Sequence, residues 1–465
     1  MSTAENETIE EAPVTNRKQP FPRGFLDAIS TGWAERPESL PAARPQAAFA
    51  AARRDKLSAA FPGKRVVIEA GSLKQRSNDT DYPYRAHSAF AHLTGWAADS
   101  EPDSVLVFEP TDAGHDVTLY FRERADRTTT EFYADATVGE FWIGPRPSLA
   151  GVAADLAVAT DHLAAFAATD EDVTLADADL DRFVSELRLV KDEYEIAEMR
   201  RAVDITARGF DDIIAALPDA AAHARGERVV EGVFHRRARE DGNGEGYDTI
   251  SASGPHACYL HWTRNDGAVI PGDLILVDAG VEADSLYTAD ITRTLPVNGT
   301  FSDVQRRVYE TVLEAANAAF AAARPGVKFR EVHEAAMAVI AQRTAEWGLL
   351  PVTAEEALDA DAGGQHRRYM VHGTSHHLGI DVHDCAQARR EMYYDGVLEP
   401  GMVFTIEPGL YFQIDDLTVP EELRGIGVRI EDDIVMTADG PVNLSADIPR
   451  TVSDIEAWIA RGQKV

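Results

Sequence analysis

Residues 274–294 read LILVDAGVEADSLYTADITRT, and residues 427–437 read GVRIEDDIVMT. In the first stretch an apolar run ends in Asp278, two positions before Gly280. An acid placed directly after core residues is costly unless something positive compensates it. Further along, strand alternation puts Thr288, Asp290, Thr292 and Thr294 on one face. The second stretch, taken with MVFTIEPGLY at residues 402–411, repeats the arrangement with glutamates. Thr405 and Glu407 share one strand face, Arg429 and Glu431 share another, and Pro408-Gly409 turns the chain directly after Glu407. For any one of these acids alone, a salt bridge, a turn cap or an exposed edge is an equal or commoner explanation. Together they form a pattern.

Each strand pair follows two helical patterns. Residues 191–217 carry Ile196, Met199, Val203, Phe210, Ile213 and Ile214 at helical spacing, and a second helix is expected over residues 227–240. In the later half a helix is expected over 302–323, started by a Ser302–Gln305 capping box and stopped by Pro325-Gly326, and another ends near Gly348. The chain therefore echoes itself as helix pair and strand pair, twice. A pseudo-two-fold relating the halves brings Asp278, Asp290, Glu407 and Glu431 to one centre.

Upstream, short β-like runs at 65–69, 104–108 and 117–121 alternate with helical stretches at 149–159 and 176–189, an α/β pattern. The first 20 residues are polar, acidic and interrupted by proline, and are expected to be disordered. The expected organisation is a disordered or extended segment over residues 1–45, an α/β domain over 46–187 and an α+β domain with an internal pseudo-two-fold over 188–465. A chain of 465 residues favours two or three domains.

The formal charge is −33, from 45 basic and 78 acidic residues. Such a field repels phosphate backbones, so neither nucleic acid nor an anionic membrane is an expected partner. The bland reading of the charge is a solvated surface that keeps the chain soluble. Cys258 and Cys385 show no CxxC spacing and are expected to be reduced thiols. The N-terminus lacks the apolar segment of a signal peptide, and no stretch approaches the roughly 18 to 20 apolar residues of a membrane span. A cytoplasmic location is the expectation.

Residues 369–384 read YMVHGTSHHLGIDVHD, with His372, His376, His377 and His383 interspersed with glycine. A lone histidine there reads as structural; four together point to ligation and proton handling. Carboxylates with an imidazole suit manganese-like divalent ions, with zinc, cobalt or iron as substitutes. Four carboxylates over-neutralise one dication, so two ions match the charge better. Two ions roughly 3.5 to 4 Å apart can share a hydroxide and clamp a tetrahedral intermediate.

VDAG, ADITRT, SHHLGIDVHD, TIEPGLY and GVRIEDDIV occur in the order found in Xaa-Pro aminopeptidases (aminopeptidase P), pita-bread metallopeptidases related to prolidase. The stretch RSNDTDYPYRAHSAFAHLTGW resembles the small N-terminal α/β domain of that family, and the likeness spans about residues 46–438. The resemblance implies metal ligands Asp278, Asp290, His376, Glu407 and Glu431, with Asp290 and Glu431 bridging. It further implies that Glu407 is the general base, that His261 and His383 contact substrate and support the developing oxyanion, and that His372 and Arg429 also serve substrate binding. The expected reaction is hydrolysis of the bond between an N-terminal residue and a penultimate proline, with a metal-bridging hydroxide as nucleophile, by a homodimer or homotetramer. Prolidase is the nearest alternative, but ADITRT and the N-terminal pattern look closer to aminopeptidase P. A pita-bread domain kept only for binding, or creatinase-like chemistry without metal, fits less well because all five ligand positions are intact. The spacing of Asp278 and Asp290 is one residue longer than is common in the family, which implies that residues 282–287 form a hairpin loop able to approach the site. His333 is expected to be structural on a surface helix, and Arg389 and Arg390 to be a solvated pair, with contact to a substrate carboxylate as the alternative.

Overall fold

The computed structural model describes residues 21–36 and 39–462. The expected disorder of residues 1–20 lies outside the described residues. Two compact units emerge, one ending at Asp177 and one beginning at Ala178. Helix Ala178–Leu187, which the sequence pattern groups with the N-terminal domain, belongs to the second unit. Its Ser185 hydroxyl accepts the Gln387 N–H, and Glu186 pairs with Arg389.

In the N-terminal unit, strands Val66–Glu69, Val105–Thr111 and Gly114–Phe121 pair antiparallel in that order, and Ala159–His162 adds in parallel to the third. Val67, Val105 and Val107 pack together on one sheet face. Helix Ser88–Thr94 ends at Gly95 in the left-handed conformation. Two buried arginines from helix Ala47–Ala60 complete that terminus: Arg53 and Arg54 donate to the carbonyls of His92 and Leu93 at 3.0 and 2.9 Å. Cations suit the negative end of a helix dipole. The expectation of a disordered or extended segment through residue 45 is corrected here. Arg23–Ile29 is a helix, and Phe21, Leu26 and Ile29 pack against Ala125, Phe132 and Tyr133. A few apolar residues on one face suffice to dock it, although the segment is polar on average.

In the second unit helix Ala178–Leu187 is followed by helix Glu193–Ala222, capped by reciprocal bonds between Asp192 and Glu195. It continues a turn beyond the expected end at residue 217, through Pro218. Helix Gly226–Asp241 packs back on it, Phe234 against Phe210, and a Cβ at Gly209 would lie 2.7 Å from the Phe234 ring. Strands Ile250–Ser253, Leu274–Ala279 and Ile291–Pro296 then form an antiparallel sheet with Leu274–Ala279 central. The second half repeats this. Helices Asp303–Ala322 and Arg330–Glu346 precede an antiparallel sheet in which Asp432–Thr437 lies between Val403–Ile406 and Gly440–Asn443. Ser302 and Gln305 form the expected capping box.

The half-sheets meet along one seam. The Glu431 N–H donates to the Thr292 carbonyl at 3.1 Å, and the Arg429 N–H to Thr294 Oγ1 at 3.2 Å. Arg293 is fully buried beneath it. Its guanidinium bonds Asp432 Oδ1 at 2.7 Å and the carbonyls of Glu431, Pro449, Ile448 and Thr292 at 2.6, 2.8, 3.1 and 2.9 Å. A buried charge is tolerable only with such complete pairing. Replacing Arg293 by Met strands these acceptors, so Arg293→Met is expected to lose about 3–5 kcal/mol of stability in denaturant titration. A loss below about 1 kcal/mol would show that the seam does not rest on this cation.

Candidate active site

The local register explains how the acids converge. Asp278 lies on a central strand opposite Thr292, and Asp290 immediately precedes the strand beginning at Ile291. In the other half Ile406 pairs with Asp432, so Glu407 and Glu431 are the next residues outward from that pair. The histidine-rich segment runs beside Val403–Ile406: Thr405 N–H donates to the His376 carbonyl at 3.0 Å, and Glu407 N–H to the Thr374 carbonyl at 2.8 Å. All nine residues singled out from the sequence, Asp278, Asp290, His376, Glu407, Glu431, His261, His372, His383 and Arg429, line one cavity of about 700 Å³ in the second unit.

Its floor is acidic and tightly bonded. One oxygen each from Asp290 and Glu431 and one His376 nitrogen lie within 4.8 Å of one another. His376 Nε2 is 3.3 Å from Asp290 Oδ2 and 3.5 Å from Glu407 Oε1. Its Nδ1 lies 3.2 Å from the His377 carbonyl, which must be the acceptor and therefore leaves Nε2 aimed at the carboxylates. Burial alone would lower this imidazole, but Asp290 and Glu407 overcome that and raise it to about 9. Burial, with repulsion from Asp290 and Asp278, pushes Glu407 up to about 7. Burial and the neighbouring acids likewise raise Asp290 and Glu431. Four carboxylates thus share a floor with one permanent cation, Arg429, whose Nη2 is 2.5 Å from Asp278 Oδ2. The site is short of positive charge. Two dications held by this oxygen-rich set would supply it, with His376 Nε2 already oriented as a ligand.

The structure adds residues that sequence reading missed. Tyr247 Oη lies 2.7 Å from Asp278 Oδ1 and 2.5 Å from Asp290 Oδ1, so its single proton is shared between them. The phenol is buried and pushed well above its usual range by burial and by both aspartates. Nothing local in EGYDTI marks it, since it acts across a 31-residue separation. Tyr411, within TIEPGLY, relays Arg429 to His372: Arg429 Nη1 donates to Tyr411 Oη at 3.1 Å, which in turn lies 2.8 Å from His372 Nε2. His372 Nδ1 faces the Gly373 carbonyl at 2.7 Å and must donate, so Nε2 accepts from the phenol. Burial, helped by Arg429, holds His372 down at about 3 and keeps it neutral. Thr292 Oγ1 donates to Glu431 Oε2 at 2.7 Å, and Asp433 Oδ2 accepts the Asp290 N–H at 3.1 Å.

One expectation is corrected. Residues 282–287 do not line the cavity; Ser285 bonds Glu198 and Tyr287 bonds Glu195, so the longer turn packs on helix Glu193–Ala222. His333 has a structural contact: its Nδ1 accepts the Thr374 N–H at 3.2 Å, on the segment that carries His376. Arg389 and Arg390 are exposed, and each pairs with an acid, Glu186 and Asp395 at 2.7 and 3.0 Å. His377 points away from the floor and packs on Phe329 and Tyr393.

The family model of metallopeptidase family M24 matches residues 197–438, and that of the aminopeptidase P N-terminal domain matches residues 50–174. The chain belongs to the aminopeptidase P branch of family M24. It is 50% identical to Xaa-Pro aminopeptidase 1 of Streptomyces coelicolor, over 97% of this chain and 95% of that protein. Against solved structures it superposes on aminopeptidase PepP of Pseudomonas aeruginosa with a TM-score of 0.77 at 31% identity, covering 91% of this chain and 100% of the other. A zinc-substituted, product-bound aminopeptidase P of Escherichia coli gives the same TM-score and identity, covering 90% and 99%. In this M24 chain the loop that carries His383 is pinned by a buried ion cluster. Asp384 takes Arg188 Nε at 2.8 Å and Lys191 Nζ at 3.2 Å. Burial would raise the carboxyl, yet Lys191 and Arg188 hold it at about 2, below an unfolded value near 3.8. The folded pKa is depressed, so this stabilisation is complete above pH 3.8 and is lost as pH falls toward 2, about 2 kcal/mol in all. Asp384→Asn is expected to flatten the acid limb of stability between those values in urea titrations; an unchanged limb would remove Asp384 from the account.

Proposed function

We propose that this chain removes the N-terminal residue from peptides whose second residue is proline, using two divalent metal ions. The reading is supported by one observation: Asp278, Asp290, His376, Glu407 and Glu431 line a single cavity together with His261, His372, His383 and Arg429. The similarity to Xaa-Pro aminopeptidases over nearly the whole chain supports the same activity rather than a dipeptidase. Asp278, Asp290, His376, Glu407 and Glu431 would hold the ions, most suitably Mn²⁺ for an oxygen-rich set, with Zn²⁺, Co²⁺ or Fe²⁺ as alternatives. Bound there, the ions supply Lewis acidity and bring a water molecule's pKa near neutrality.

The chain's own groups do the rest. Glu407, a carboxylate on the cavity floor, is placed to take a proton from the attacking water and return it to the departing proline nitrogen. His261 and His383 are exposed at the cavity wall, where an N–H can meet the carbonyl oxygen as charge develops on it. The neutral His372, held by Tyr411 and Arg429, offers a preset surface for the substrate backbone. Two buried, free cysteines support a reducing, cytoplasmic setting. A homodimer or homotetramer is proposed on the family resemblance alone.

The deciding assay compares an Xaa-Pro-Xaa tripeptide with its Xaa-Pro dipeptide, using chelator-stripped protein with and without Mn²⁺. Metal-dependent cleavage favouring the tripeptide is expected; preference for the dipeptide would move the assignment to prolidase, and no cleavage with any divalent metal would end the enzyme reading. In the same assay Glu407→Gln should lower kcat by about 10²–10⁴-fold.

A further inference from the structure

We infer that Glu227 is the positioning residue for His261, an assignment that rests on the peptidase reading above. Glu227 sits in the first turn of helix Gly226–Asp241 and is fully buried. Its carboxylate gathers residues 253–267 from both ends and the middle. Oε1 accepts the Ser253 N–H at 2.8 Å and faces His256 Nδ1 at 2.7 Å. Oε2 accepts the Gly267 N–H at 2.6 Å and the Trp262 indole N–H at 2.9 Å. Four donors converge on one side chain, and a carboxylate is the group that offers acceptors only.

The consequence falls on the neighbour of Trp262. His261 reaches the cavity from the same loop, flanked by Leu260 and Thr263, which also line it. The His256 ring stacks on Trp262 at 3.9 Å, so both aromatic groups gripped by Glu227 also grip each other. Gly267 belongs to the same device. A Cβ there would lie 2.8 Å from the Glu227 carboxylate and 2.7 Å from the His256 ring, so only glycine lets its N–H come this close. Asn265 ties the loop's far side to the sheet, donating to the Thr249 carbonyl and accepting the Ser251 N–H. Glu227 touches no reacting group; it acts by setting where the His261 imidazole stands. Catalysis of this kind is sensitive to displacements near 1 Å.

Glu227→Gln keeps the shape but turns two of the four contacts into donor facing donor. In full-length, Mn²⁺-loaded protein it should lower kcat on the tripeptide by roughly 10- to 100-fold with little change in KM. In metal-free protein the Ser253 or the Gly267 amide, whichever faces the new NH2 group, should exchange with deuterium faster by a similar factor. In a His261→Ala background the same substitution should cost less than about threefold, because the group it positions is gone. An equal loss in both backgrounds, or unchanged exchange at Ser253 and Gly267, overturns the assignment. Should Glu227→Gln fail to fold, Trp262→Phe removes a single donor and carries the same comparison with and without His261. A wild-type protein that cleaves no peptide overturns the peptidase reading instead, while the exchange measurement still judges the loop.

Discussion

Arg293 joins the two halves of the catalytic unit, and the position of every acid on the floor follows from that junction. Its guanidinium spans from Asp432 to the carbonyl of Glu431 and on to Pro449 and Ile448. It thereby sets strand Ile291–Pro296 against the segment leading into Asp432–Thr437. Once that register holds, Thr292 meets Glu431 and the Asp290 N–H meets Asp433. A slip of one residue would send each of these side chains to the opposite face. The seam is thus a geometric constraint before it is a source of stability.

The floor it creates is electrostatically unfinished. Burial and mutual repulsion raise Asp290, Glu407 and Glu431 together, while Arg429 serves Asp278 and Tyr411. Tyr247 places one proton between two aspartates, and His376 turns its Nε2 toward the acids by committing Nδ1 to a backbone carbonyl. These features cost stability in the chain by itself. They make sense as a preset ligand cage, in which the strain of gathered anions is relieved by bound cations.

The walls are built by a different principle. His372 and His383 come from the two ends of the histidine-rich segment and His261 from a second loop, and each place is anchored from behind by buried polar groups: Asp384 with Lys191 and Arg188, Tyr411 with Arg429, and Glu227 with Ser253, His256, Trp262 and Gly267. Loops chosen for reach are held with the rigidity of core elements because their anchors are charged and desolvated.

Much of this was legible in the chain. The helical period around Val203 and Phe210, the Ser302–Gln305 cap, and acids placed at strand ends all derive from local spacing, which is why the helix pairs, strand pairs and four acidic positions could be read directly, while His376 was singled out among the histidines by the family resemblance. The motifs around Asp278, His376, Glu407 and Glu431 made the family readable as well. Local spacing failed where contacts are distant. It left Arg23–Ile29 as a loose segment, sent the turn after Glu282 toward the site, and gave no role to Tyr247 or Glu227. Sequence determined which residues are acidic, which face of a strand each occupies and where helices begin, because those depend on near neighbours. Only the tertiary structure decided which acids share a proton, which imidazoles stay neutral and what holds each loop, because those depend on charges and donors brought together from dozens of residues away.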